Sequence, residues 1–413
     1  MTWVALAGAA LAGFLTATAA CAQGGSVATT STPALGQTPI EQGGVKAAAI
    51  RRSLEAIRLP PGFRIGLYAV VPDARVVAVA PQGGVTFVST RGSKVYAVVD
   101  RGGTDTADVR EFAPSLRFTM PHGLCFSKDG VLFVAEQNRV LAFPAAGNIG
   151  ERKQIEVAPV VPQDGLIPIA EQSSNHSARV CRVGLDNKLY VALGQPYNVP
   201  PPGKLDLYNR WGIGGIVRMD RDGGHREVFA SGIRNSVGMD FAPDGALWFT
   251  DNQVDGMGDD IPPGEINRAT RAGQFFGFPW YGGGHTRTVA YRDQQPPADA
   301  VFPVVEEVAH AADLGMVFYT GTMFPKEYRG AVFSAQHGSW NRSTPIGARV
   351  MVTKVAAGAT APEGSTPFAE GWIDPDGEYA GRPVDVAQAH DGSLLVSDDL
   401  LGAVYRITYD RAP

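Results

Sequence analysis

The chain has 413 residues, long enough for one large domain or two ordinary ones with an ample core. Its 50 glycines and 30 prolines exceed what helical architecture uses, so turn-rich all-β is the leading class. A net charge of -5 with 19% charged residues excludes the basic field that nucleic acid or an anionic membrane needs, and a small neutral ligand fits better than a polyanion.

Residues 2–20 are almost wholly apolar and small and end at Ala20-Cys21-Ala22, a small-residue cleavage pattern, so 1–22 reads as an export signal. Thr18-Ala19-Ala20-Cys21 is also a distant form of a lipoprotein box, which makes Cys21 a candidate lipid anchor. Expected localisation is therefore periplasmic or otherwise exported. The stretch 23–46, rich in Gly, Ser, Thr, Pro and Gln, reads as a flexible linker, with the folded domain over 47–413. Cys125 and Cys181 belong to no CxxC pattern and sit in apolar strands. They read as buried thiols, with a disulfide between them as the alternative that export permits.

From there the chain repeats itself. VVAVAPQGGVTFVST, HGLCFSKDGVLFVAE, ARVCRVGLDNKLYVALG, SVGMDFAPDGALWFTD, a diverged EYRGAVFSAQHG and PVDVAQAHDGSLLVSDD each give a short alternating strand, a tight turn and a second apolar strand. Gly84, Gly130, Asn187, Gly245, Gly330 and Gly392 mark the turns, at spacings of 46, 57, 58, 85 and 62 residues. Further strands between the units (LYAVV, KVYAVV, RVLAFP, GIVRMD, RVMVTKV) would complete sheets of four. Six such sheets around an axis predict a six-bladed β-propeller with four-stranded antiparallel blades; a two-sheet sandwich would not easily repeat one signature six times.

The longest spacing holds an acidic loop, in which Asp251, Asp255, Asp259, Asp260 and Glu265 fall within fifteen positions. That oxygen density suits a hard cation such as calcium, or is simply a solvated surface loop. His176 precedes the third unit, where a propeller places residues at its channel mouth and an imidazole can act as a general base. Arg234 and Asn235 precede the fourth. Trp211, Trp280 and Tyr281 would stack on a ring-shaped ligand or pack in the core.

Taken in order, the His-x-x-Arg ahead of the third unit, SGIRNSVGMDFAPDGALWFTD, the acidic loop with EIN and AGQFFGFPWYGG, and GRPVDVAQAHDGSLLVSDD resemble the glucose/sorbosone dehydrogenase family from about Pro60 to Tyr409. DNQ, GDDIPPGEIN and GRPVDV are closer to the sorbosone dehydrogenase-like branch. The resemblance implies an exported six-bladed propeller that oxidises a sugar, a sorbosone-like sugar aldehyde or a related alcohol with pyrroloquinoline quinone (PQQ) and calcium, passing electrons to an external acceptor. Carried over to this chain, the catalytic pair is His176, as base, and Arg234. Cofactor contacts fall to Arg234, Asn235 and Arg382; the family's fifth-blade Lys has no clear counterpart, and HGSWNR offers His337, Trp340 and Arg342 instead, of which Trp340 and Arg342 are taken as its substitutes. Metal ligation falls to Glu265, Asp259, Asp260 and Gln253. Departures are Val384, where glucose-oxidising members carry a second Arg, and His122, where many relatives have Asn. Two other readings remain: a calcium-dependent lactonase with metal ligands from several blades, and a non-catalytic propeller binding a ligand through the same loops.

Overall fold

The computed structural model describes residues 29–100, 107–355 and 362–410, so the expected signal at 1–22 and its Cys21 lie outside the described residues. Within them the chain forms six sheets arranged as consecutive blades. Blade one is Val77–Val79, Val85–Ser89, Val95–Val99 and Asp108–Phe112; blade two begins at Gly123–Phe126, blade three at Val180–Val183, blade four at Met239–Phe241, blade five at Asp313–Phe318 and blade six at Pro383–Gln388. The ring closes because Phe63–Val70, ahead of blade one, pairs antiparallel with Ala403–Tyr409 as the fourth strand of blade six. This closure removes the free sheet edges that an open arrangement would leave.

All six turn residues read from the repeats have positive φ, from 59° at Asn187 to 86° at Gly130 and Gly392, the region a tight two-strand turn requires and only Gly or Asn enters cheaply. Large apolar residues from the strands of neighbouring blades then meet across each junction. Phe87 and Phe143 lie in the core between blades one and two, Phe133 and Leu189 between two and three, and Phe229 and Phe249 between three and four. Trp248 and Phe318 lie between four and five, Phe333 and Tyr405 between five and six, and Val88 and Leu395 between six and one. One core for each junction is why a ring of six is stable where a lone blade would not be.

At the axis the inner strands come too close for side chains. A Cβ on Gly238 would collide with Leu314 O, and one on Gly315 with Asp385. Buried carboxylates tie neighbouring blades: Asp385 accepts from Val77 N (2.8 Å) and Asp240 from Phe318 N (2.8 Å).

The six blades are the four-stranded antiparallel sheets expected, and two of them carry a fifth strand besides, Thr30–Pro33 on blade two and the parallel Gln274–Phe275 on blade three. Two expectations are corrected. The described part of 23–46 is docked and not a free linker: besides that strand, Gln42 exchanges two hydrogen bonds with the Val70 backbone, and a helix begins at Gly44 with Ala47 and Ile50 buried against blades five and six. Cys125 and Cys181 form a disulfide, because they occupy the inner strands of adjacent blades with Cα atoms 5.7 Å apart.

Candidate active site

In each blade the chain enters the first strand and leaves the second at the same end of the channel. Loops before first strands and after second strands therefore converge at one mouth, and a cleft of about 290 Å³ opens there. Blade one supplies Arg75 and Arg91, blade three His176, and blade four Arg234, Asn235, Gln253 and Asp255; blade five supplies His310, His337, Trp340 and Asn341.

His176 sits in the left-handed region (φ 48°), which aims its ring back across the loop. Its Nδ1 lies 2.6 Å from Gln195 O, so Nδ1 carries the proton and Nε2 is left as an acceptor, without a hydrogen bond among the described residues. Burial, reinforced by the Arg234 guanidinium, pushes its pKa down to about 4, so the ring is neutral at pH 7. A neutral imidazole with one ring nitrogen fixed and the other free is a proton acceptor.

Arg234 is buried and donates to Asn198 O (3.0 Å), Asn198 Oδ1 (2.9 Å), Asn252 O (3.1 Å) and Asp255 Oδ2 (2.7 Å). Its backbone N–H and that of Asn235 are received by the two oxygens of Asp251, at 2.9 and 2.7 Å. Strand end, loop and guanidinium are thus one rigid unit. Among the described residues Asn235 Oδ1 and Asn341 Oδ1 are buried acceptors without partners, although Asn341 Nδ2 donates to Asp255 Oδ1 at 2.8 Å. Unmet buried oxygens beside a cleft are groups that a ligand's donors would satisfy.

Residues 166–406, more than half of the chain, match the family model described as Glucose / Sorbosone dehydrogenase. The chain belongs to the glucose/sorbosone dehydrogenase family. A Borreliella burgdorferi protein described as "Uncharacterized protein" is 37% identical over 249 residues, 60% of this chain and 64% of the relative's length. Among solved structures, the holo pyranose dehydrogenase PQQ domain from Coprinopsis cinerea is similar with a TM-score of 0.68 at 20% identity, over 85% of this chain and 97% of that one. The calcium structure of the Trichoderma reesei family AA12 enzyme gives 0.67 at 20% identity, over 86% and 97%. The PQQ-bound aldose sugar dehydrogenase of Streptomyces coelicolor gives 0.53 at 16% identity, over 86% and 100%. At these identities the likeness is one of fold.

In this family member the cleft gathers His176, Arg234, Asn235, Gln253 and Trp340, the last 75% exposed at the rim. It does not gather Arg382 or Arg342. Arg382 donates to His337 O (3.0 Å) and Gly338 O (2.7 Å) with its guanidinium over Tyr379, and so braces the loop behind the cleft. Arg342 bonds Ala309 O (3.3 Å), Asp259 O and Asp260 Oδ1 (3.2 Å), and so staples the acidic loop to blade five.

The expected metal ligands do not converge either. Glu265 is a buried strand residue accepting from Gly284 N (2.7 Å) and Asn267 Nδ2 (3.0 Å); burial, then the Asp251 carboxylate, pushes its pKa up to about 8, so it is largely protonated at neutral pH. Asp259 accepts from the Ser343 backbone and hydroxyl, Asp260 faces Arg342 and solvent, and Gln253 Nε2 donates to Asp251 O. Among the described residues no group of three His, Cys, Asp or Glu is placed to hold a metal. Trp211, Trp280 and Tyr281 do not line the cleft: Trp211 packs on the core between blades two and three, Trp280 against Phe275 and Tyr291, and Tyr281 against Phe302.

Sequence reasoning missed Arg75 and Asp399, and it noted Asp255 and His337 only as one acid of the loop and as an alternative to the fifth-blade Lys. Arg75 is buried between Asp399 Oδ2 (2.7 Å) and His122 Nε2 (3.2 Å). His122, far below its usual pKa at about 3 through burial and then Arg75, is a neutral spacer donating to Arg179 O at 2.9 Å. The signal that marks them is position: Arg75 precedes a first strand, and Asp255, His337 and Asp399 follow second strands.

Proposed function

We propose that this protein is a quinoprotein oxidoreductase whose cleft binds PQQ and oxidises a sugar, a sorbosone-like sugar aldehyde or a related alcohol. The observation that carries the proposal is His176, neutral, with Nδ1 locked on Gln195 O and Nε2 free beside Arg234, in a chain of the glucose/sorbosone dehydrogenase family.

The cleft suits a flat, anionic quinone. Arg75, Arg91 and Arg234 line it, in a protein whose net charge is -5, while the unpartnered oxygens of Asn235 and Asn341 at its border would accept hydrogen bonds from the substrate's hydroxyl groups. Arg234 and Asn235 would hold the cofactor from blade four and Arg91 from blade one, with Trp340 free at the rim to cover a ring. When bound, the quinone supplies the hydride acceptor. The chain's own residues do the rest. His176 Nε2 takes the hydroxyl proton of the carbinol or hydrated aldehyde, and the Gln195 carbonyl keeps that nitrogen aimed and in the correct tautomer. Arg234, fixed by four hydrogen bonds before any ligand arrives, presents positive charge to oxygen that becomes more negative, without reorganising. Calcium is implied by the family resemblance, but the acidic side chains expected to hold it are each engaged elsewhere, so no step is assigned to it.

Export is part of the proposal, supported by the apolar segment 2–20 and by the Cys125–Cys181 disulfide, a bond typical of oxidising compartments. An external acceptor then removes the electrons. The test is dye reduction by the purified chain supplied with PQQ and calcium, over a panel of aldoses, sorbosone and simple alcohols. Substrate-dependent bleaching is expected; its absence with every substrate rejects the proposal.

A further inference from the structure

Oxidising a carbinol to the corresponding carbonyl compound releases two protons and two electrons. With an acceptor that takes electrons only, both protons have to leave the protein in each turnover, whereas His176 offers one free ring nitrogen. On blade five, two blades on from blade three, the same cleft holds a second imidazole in the same condition. His337 Nε2 lies 2.9 Å from Asp399 Oδ1, so it donates there, and Nδ1 makes no hydrogen bond among the described residues. Asp399 Oδ2 in turn accepts from the Arg75 guanidinium at 2.7 Å. Against the upward push of burial, His337 and Arg75 hold Asp399 well below the usual carboxylate range, so it is a permanent anion behind the ring.

We propose that His337 Nδ1 is the second proton acceptor of the cleft, oriented by Asp399, which Arg75 holds in place. The proposal rests on the redox reading above. The charged groups facing His337 are Asp399, Arg75 and Arg382. Burial, against the pull of Asp399, keeps the ring's pKa at about 4, so it stands neutral and ready at pH 7. A ring backed by an anion shares the charge it gains on protonation, and its 16% exposed side chain lets the proton pass to solvent. The arrangement also accounts for the buried Arg75–Asp399 pair, whose two ends come from blades one and six.

The experiment uses the full chain with PQQ and ferricyanide, which takes electrons only, and the variant His337→Gln, whose amide still donates to Asp399 but has nothing in place of Nδ1. The expected kcat falls about 10- to 100-fold, while KM, the calorimetric Kd for PQQ and the melting temperature stay at wild-type values, and added imidazole restores part of the lost rate. Nitrogen-15 NMR of the apo protein at pH 7 should find His337 protonated at Nε2 and bare at Nδ1. A protonated Nδ1, an unchanged kcat, or a loss that imidazole does not relieve overturns the proposal. A wild-type protein that reduces no ferricyanide overturns the redox reading, and this proposal with it; an active wild type with an equally active His337→Gln overturns only the latter.

Discussion

The substitution His176→Asn isolates the base from its scaffold. Asn tolerates the left-handed φ of 48° at this position, and its amide nitrogen falls near the place of Nδ1, so the bond to Gln195 O survives while Nε2 disappears. Stability should change by no more than about 1 kcal/mol, whereas loss of a positioned general base lowers kcat/KM by about 10²- to 10⁴-fold. The pH profile adds a second constraint. Because the folded pKa is lowered to about 4, kcat/KM should be flat from pH 6 to 9 and fall only in acid as Nε2 takes a proton; in a His337→Gln background, which removes the cleft's other imidazole of similar pKa, this acid limb should vanish when His176→Asn is added. Steady-state dye reduction at several pH values, with thermal melts of both proteins, measures all three quantities. A variant within threefold of wild type, or a double variant that retains the acid limb, refutes the assignment of Nε2.

Three further outcomes follow from the geometry. The Cys125–Cys181 bond closes a separation of 56 residues, so Cys125→Ala/Cys181→Ala should lose about 4 kcal/mol by the chain-entropy relation, read as a shifted denaturant midpoint; a shift under about 1 kcal/mol contradicts it. Glu265 has a folded pKa raised from 4.5 to about 8, so its contribution to stability is full below pH 4.5, falls as pH rises from there and is lost once pH passes the folded value. Glu265→Gln should therefore melt close to wild type at pH 4 and increasingly above it as pH rises to 9. If calcium chelation lowers the melting temperature of wild type but not of Glu265→Gln, Glu265 is a metal ligand after all. Arg234→Lys trades a fork with four hydrogen bonds for a point donor and should cost about 2–3 kcal/mol together with at least tenfold in PQQ affinity, as read by melting and calorimetry; wild-type values in both would show the fork to be dispensable.

Much of the fold was legible because local and global requirements coincide. Gly84, Asn187 and Gly392 mark turns that only a residue tolerating positive φ can make, and the alternating apolar residues on either side fill the cores between blades. The positions of His176, Arg234 and Asn235 ahead of first strands were legible for the same reason. What composition could not convey is which partner each charge finds. The crowded acids of residues 251–265 looked like one cation site, yet Asp251 caps the backbone of Arg234 and Asn235, Asp255 neutralises a guanidinium, Asp259 binds Ser343 and Glu265 is buried inside a strand. Arg75 and Asp399 lie 324 residues apart and meet only through ring closure. The disulfide likewise depends on the angle between two blades, which no spacing encodes. Arg382, read as a cofactor contact, instead holds the carbonyls behind His337.

Oxidation of substrate onto a bound quinone in the proposed cleft is read most directly by an anaerobic titration of the PQQ-loaded protein with an aldose, with no dye present, following the cofactor's absorbance. The oxidised-quinone band should be lost saturably at one equivalent of substrate per equivalent of bound cofactor, and should persist over the same time in His176→Asn. A band that persists in the wild type under every aldose and sorbosone, or PQQ that fails to bind at all, contradicts it.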